Sequence, residues 1–176
     1  CLFMLVRGSP RAARVLVAEA VGRGDPRGVM SAVIVCTKCY GGVSFLMLAL
    51  VWAGWRSSVD WMVQGDGAIL GPLVHLIPLV VFQFTLDGAN CLCQGILWGL
   101  GYRTSGAIGI LVFGWGVRVP AAWCLCLRAH LGVVGIWYGA CLGSAMSLLH
   151  NVGVLIWSLR QTHRTAELQI PTSEYA

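Results

Sequence analysis

The chain has 176 residues, 57% of them hydrophobic and only 11% charged, against about 25% charged in an ordinary soluble domain. Mean hydropathy is +0.77, which excludes a soluble globule and points to an all-α, polytopic membrane helix bundle. The net charge of +5 sits mainly between the apolar runs, where it sets topology and gives no sign of nucleic-acid binding.

Residues 1–28 read as a basic cytoplasmic connector that faces lipid headgroups. It carries Arg7, Arg11, Arg14, Arg23 and Arg27, with a short amphipathic helix from Ala12 to Val21. No secretory signal fits, because the apolar residues 1–6 lack a basic flank; the start at Cys1 reads as that of a piece of a longer protein. Gly22-Arg23-Gly24-Asp25-Pro26 breaks the helix. The first apolar run is 29–52, about 36 Å as a helix and enough to cross a bilayer core of about 30 Å. Lys38 can snorkel out of it, and Trp52, Trp55 and Trp61 mark its far interface. A loop over 53–68 follows, with Arg56, Asp60 and Asp66.

The second run, 69–97, holds Pro72, His75 and Pro78 in its first half. Its second half holds Asp87, with Asn90 and Gln94 at i+3 and i+7 on the same helical face. A carboxylate in hydrocarbon costs at least about 2.5–3.5 kcal/mol. A protein carries it where water or a ligand reaches it. Asp87, Asn90 and Gln94 are therefore the candidate residues of a water-filled cavity or binding site, and Gln83, His75 and Arg118 are further candidates for the cavity. After a tight loop at 98–104, the third run, 105–127, carries Arg118 and Pro120. The fourth, 132–158, repeats Gly135, Gly139 and Gly143 every fourth residue, a stripe that lets a neighbouring helix come close; Gly95 and Gly99 are assigned the same packing role. Residues 159–176 read as a polar cytoplasmic tail.

Arginines orient the spans. Segment 1–28, loop 98–104 and the tail hold five, one and two, and the two opposite loops hold only Arg56 and Arg128. Both chain ends are thus expected in the cytoplasm. No enzyme is indicated. The four histidines, His75, His130, His150 and His163, fall on different spans or outside them, and no H-E-x-x-H or phosphate-loop pattern occurs. Cysteines lie inside apolar runs, where Cys is a small hydrophobe. Cys36-Thr-Lys-Cys39 lacks the βαβ setting of a redox site, so neither metal nor cofactor is expected.

The motifs resemble the multidrug and toxic compound extrusion (MATE) family in its eukaryotic form. Ala20-Val21-Gly22-Arg23-Gly24-Asp25 is similar to that family's A-x-G-x-G-[DN] segment between its eighth and ninth helices. Asp87 with Gly95-Ile-Leu-Trp-Gly-Leu-Gly101 is similar to its tenth helix, Gly106-Ala107 with Pro120 to its eleventh, and Leu131-Gly-Val-Val-Gly-Ile-Trp-Tyr-Gly139 to the start of its twelfth. The likeness runs from about residue 12 to residue 158, most of this chain but a minor part of a full transporter. It implies helices nine to twelve of a twelve-helix antiporter, with the earlier helices as partners. Such a protein exports organic cations or amphipathic solutes across the plasma or a vacuolar membrane. Protons are the implied coupling ion and sodium the alternative. Asp87 becomes the carboxylate that binds the proton or the cationic substrate, and Asn90 and Gln94 become its cavity-lining neighbours in that proton- and substrate-binding site. The chain departs from the family at Trp98, where Arg is frequent, and at Arg118, where a small or apolar residue stands and a fixed cation would repel a cationic substrate. Two alternatives are a truncated fragment that acts only through helix packing, and a lipid-linked-sugar flippase of the same superfamily.

Overall fold

The computed structural model describes the backbone of residues 2–63 and 67–168, and the side chains of residues 8, 10–54 and 76–161. Its elements are all helical. In chain order they are α1 (Leu2–Gly22), α2 (Pro26–Val63), α3 (Gly67–Gly99), a composite third span, and α6 (Gly132–Leu168). The third span begins as α4 (Arg103–Ile108), widens to a π-helix over Gly109–Val117, returns to α5 (Arg118–Trp123) and ends as a second π-helical stretch over Cys124–Arg128. Among the described residues, four segments are long and apolar enough to cross a membrane: Pro26–Gly54, Leu76–Gly99, Arg103–Arg128 and Gly132–Gln161.

Two expectations change. The basic connector is not merely headgroup-facing. Its helix runs from Leu2 to Gly22, well beyond Ala12–Val21. Ala13 and Val17 are fully buried in a cluster with Val29, Val33, Cys36 and Tyr40 of α2 and Leu92 and Ile96 of α3. The spacing Ala13, Val17, Ala20 is an apolar helical face; Arg14 within it and the arginines on either side disguise it. The loop expected over 53–68 is also mostly helix, since α2 continues to Val63. Arg56 and Asp60 do not end the helix, because neither residue type has the helix penalty of Pro or Gly.

The turns follow local chemistry. Gly24 adopts a left-handed φ of +65°. Asp25 then caps α2, its Oδ1 accepting from the Arg27 N–H at 3.0 Å, with Pro26 at the first helical position, where a missing N–H costs nothing. At the end of α3, Gly101 takes φ +93°. The Tyr102 N–H bonds back to the Leu97 carbonyl at 2.9 Å and the Gly101 N–H to that of Trp98 at 3.2 Å. This glycine-dependent helix stop satisfies carbonyls that would otherwise be left open.

Helices meet where side chains are smallest. A Cβ on Gly95 would strike the Pro10 carbonyl of α1, and one on Gly99 would come within 2.9 Å of the Arg14 carbonyl. On α6, a Cβ on Gly135 would come within 2.6 Å of the Leu125 carbonyl carbon, one on Gly139 would strike the Ala122 backbone, and one on Gly143 would come within 2.5 Å of Arg118 Cβ. Large apolar side chains such as Phe45, Trp52, Leu111 and Leu149 are left on the outer surface. A water-soluble monomer rarely carries so much exposed apolar surface; a bilayer accepts it.

A polar cavity between three helices

The second half of α3 presents Gln83, Asp87, Asn90 and Gln94 at intervals of four, three and four, close to one helical stripe. On α6, Ser144, Ser147 and Asn151 stand at i, i+3 and i+7 and form a second polar stripe. The structure sets the stripes face to face. Ser144 Oγ donates to Asp87 Oδ1 at 2.6 Å, and Gln83 Nε2 donates to Ser144 Oγ at 2.8 Å. One helical turn on, Asn151 Nδ2 donates to Asn90 Oδ1 at 2.6 Å. Ser147 Oγ reaches the Gly109 carbonyl of the π-helix at 3.3 Å.

Beside this seam lies a cavity of about 720 Å³, walled by α3, the third span and α6. Asp87, Asn90, Gln94 and Arg118 all line it. Asp87 is 30% exposed and Arg118 37%, and Arg118 Nη1 stands 3.8 Å from Asp87 Oδ2. That is longer than the roughly 2.7–2.9 Å of a closed charge-assisted hydrogen bond. The two charges attract across the cavity without locking. Trp115 and Trp137 add aromatic wall, and Ile110, Val119 and Ile136 add aliphatic wall. The mixture is that of a pocket for an amphipathic guest: mostly apolar surface with a few convergent polar groups, in the usual range of about 300–1,000 Å³.

The remaining candidates are placed as follows. Gln83 does not line the cavity. It is 1% exposed and holds Ser144 from behind. The side chain of His75 lies outside the described residues. Gly95 and Gly99 seat α3 on α1, whereas Gly135, Gly139 and Gly143 seat α6 on the third span. Gly143 bears on the site directly, since it makes room for the Arg118 stem.

Ser144, Ser147 and Asn151 were not foreseen as part of the site. Their i, i+3, i+7 spacing repeats that of Asp87, Asn90 and Gln94, and was the signal to find them. The π-helix also had no advance sign. Its last turn passes the Arg118 N–H to the Phe113 carbonyl, five residues back, which widens the helix where it borders the cavity. Such widening is common at functional sites.

Apolar spans packed through glycines around a charged, partly exposed cavity define an integral membrane protein. The chain belongs to the MatE family, whose model matches residues 1–124; members of this family are transporters and not enzymes. It is 30% identical over 140 residues to Multidrug and toxin extrusion protein 1 of Mus musculus, covering 78% of this chain and 24% of that protein. It is 27% identical over 150 residues to Protein DETOXIFICATION 37 of Arabidopsis thaliana, covering 84% and 29%. It is 30% identical over 169 residues to a probable multidrug resistance protein, NorM, of Bradyrhizobium diazoefficiens, covering 93% and 35%. Its fold matches the crystal structure of the eukaryotic MATE transporter AtDTX14 with a TM-score of 0.78 at 20% identity, over 94% of this chain and 38% of that one. The chain thus spans between 24% and 35% of the length of these curated relatives.

Proposed function

We propose that this chain supplies part of one lobe of a secondary exporter that extrudes amphipathic organic solutes, organic cations among them, in exchange for protons. The observation that carries the reading is Asp87, a carboxylate on a membrane-spanning helix that is 30% exposed to a cavity of about 720 Å³. Ser144 holds one carboxylate oxygen at 2.6 Å and Gln83 holds Ser144, so the acid is fixed while its other oxygen faces the guest. A proton and a cationic guest neutralise the same charge and therefore exclude one another. Exchange follows when the inward- and outward-open states differ in their affinity for the two.

Both chain ends lie on the cytoplasmic side in this reading, by the arginine asymmetry, in the plasma or a vacuolar membrane. The partners are the bilayer, the solute and the further helices that complete a two-lobed transporter. Sodium in place of the proton is the alternative for coupling. The test is Asp87→Asn in the full-length protein reconstituted into vesicles. Uptake of a fluorescent organic cation driven by a pH gradient disappears, while membrane insertion and elution as a single species are retained. Undiminished pH-driven uptake in that variant refutes the assignment.

A further inference from the structure

Among the described residues that line the cavity, Asp87 and Arg118 are the only Asp, Glu, Lys or Arg. With Asp87 ionised the two charges cancel. Neutralising Asp87, by a proton or by a bound cation, leaves the guanidinium alone in an apolar pocket. An uncompensated charge there is costly, and Arg118 cannot discharge itself by losing its proton. The geometry favours a new partner over withdrawal. Arg118 is 37% exposed and 3.8 Å from its acid, so its donors are not consumed by a closed ion pair. A Cβ on Gly143 would come within 2.5 Å of the Arg118 Cβ and 2.9 Å of its Cα, so the bare glycine leaves the room that the stem occupies beside the cavity.

We propose that Arg118 gives the cavity an anion-binding state: once Asp87 is neutralised, its guanidinium holds the acidic group of an amphipathic organic anion whose aromatic body rests on the wall containing Trp115 and Trp137. The planar fork of arginine suits a carboxylate or sulfonate, and the two indoles line the same space. Proton and anion then bind together. By linkage, each raises the affinity of the site for the other. The other titratable groups facing Asp87 are Cys141 on α6, Tyr40 on α2 and Cys91 on α3 itself. None of them carries a positive charge, so none can replace Arg118 as the anion's partner. From α1, Arg14 approaches α3 at the Trp98 ring, 5.6 Å from its centroid, roughly three turns beyond Asp87.

The inference rests on the reading that this cavity holds the transported solute, and the probes separate the two. Calorimetric titration of the full-length protein in lipid nanodiscs uses three probes that share one aromatic body: naphthalenesulfonate, the neutral naphthalenesulfonamide, and a naphthyl trimethylammonium. At about pH 7, Asp87→Asn binds naphthalenesulfonate about tenfold more tightly than the unsubstituted protein does, the size of effect expected for one charge-assisted contact. Adding Arg118→Gln to Asp87→Asn loses that affinity yet still binds the sulfonamide, which reports an intact pocket, and Arg118→Lys in its place recovers part of it. Sulfonate affinity that Asp87→Asn does not raise, or that survives Arg118→Gln, overturns the inference. Binding of the ammonium by the unsubstituted protein without binding of the sulfonate by Asp87→Asn overturns the inference alone; binding of no probe overturns the solute-cavity reading with it. Should the Arg118→Gln variant fail to fold, Asp87→Asn decides, because its failure to gain sulfonate affinity is itself a refutation.

Discussion

Gly139 is where the packing makes its sharpest demand. A Cβ at this position would overlap the Ala122 backbone nitrogen and α-carbon and lie 2.8 Å from its Cβ. Ordinary contact begins near 3.4 Å, so Gly139→Ala forces α6 and the third span apart or bends one of them. Overpacking of this kind costs about 1–3 kcal/mol. At about 2–4 °C per kcal/mol for a chain of this size, the melting temperature of the purified protein falls by about 2–12 °C. The same helix carries its own control. A Cβ added at Gly153 would meet nothing within 4 Å, so Gly153→Ala finds no obstacle and gains about 0.5–1 kcal/mol from the stiffer backbone. Thermal unfolding followed by tryptophan fluorescence in one detergent compares the two. Opposite signs support the packing. An equal or stabilising effect of Gly139→Ala shows that α6 does not sit on Ala122.

The Asn90–Asn151 bond joins two buried amides, 7% and 0% exposed, at 2.6 Å. A double-mutant cycle with Ala at both positions should return a coupling of about 0.5–1.5 kcal/mol; additive single effects would remove this bond from the account. At the start of α2, Asp25→Ala deletes the cap on Arg27 and costs about 0.5–2 kcal/mol, read as faster amide exchange in the first turn of that helix. Unchanged exchange at Arg27 would show that the carboxylate caps nothing there.

What the sequence disclosed follows from which forces are local. Apolar length alone fixes a membrane span, so the four spans were legible. The stop at Gly99–Tyr102 was legible because only glycine comfortably takes the φ of +93° found at Gly101. The polar face of α3 was legible because helical period is a property of one stretch of sequence. The burial of α1 was not, since Ala13 and Val17 become core only when α2 and α3 arrive, and five arginines around them read as solvent-facing. The π-helical turns were not legible either. The nearness of Arg118 to Asp87 is a contact between separate helices, and periodicity along either one is silent about it. Ser144 illustrates the middle case: its stripe was visible in the spacing, but its role emerged only with Gln83 on one side and Asp87 on the other.

The most direct test asks whether the aqueous phase reaches Asp87. In the full-length protein with its native cysteines replaced, a cysteine is introduced by Asp87→Cys and challenged with a membrane-impermeant, positively charged thiol reagent. A second cysteine introduced by Phe45→Cys, at an outer apolar position, serves as the lipid-facing control. The account predicts modification at position 87 from at least one side of the membrane and none at position 45. A position 87 that stays unreactive from both sides would contradict it.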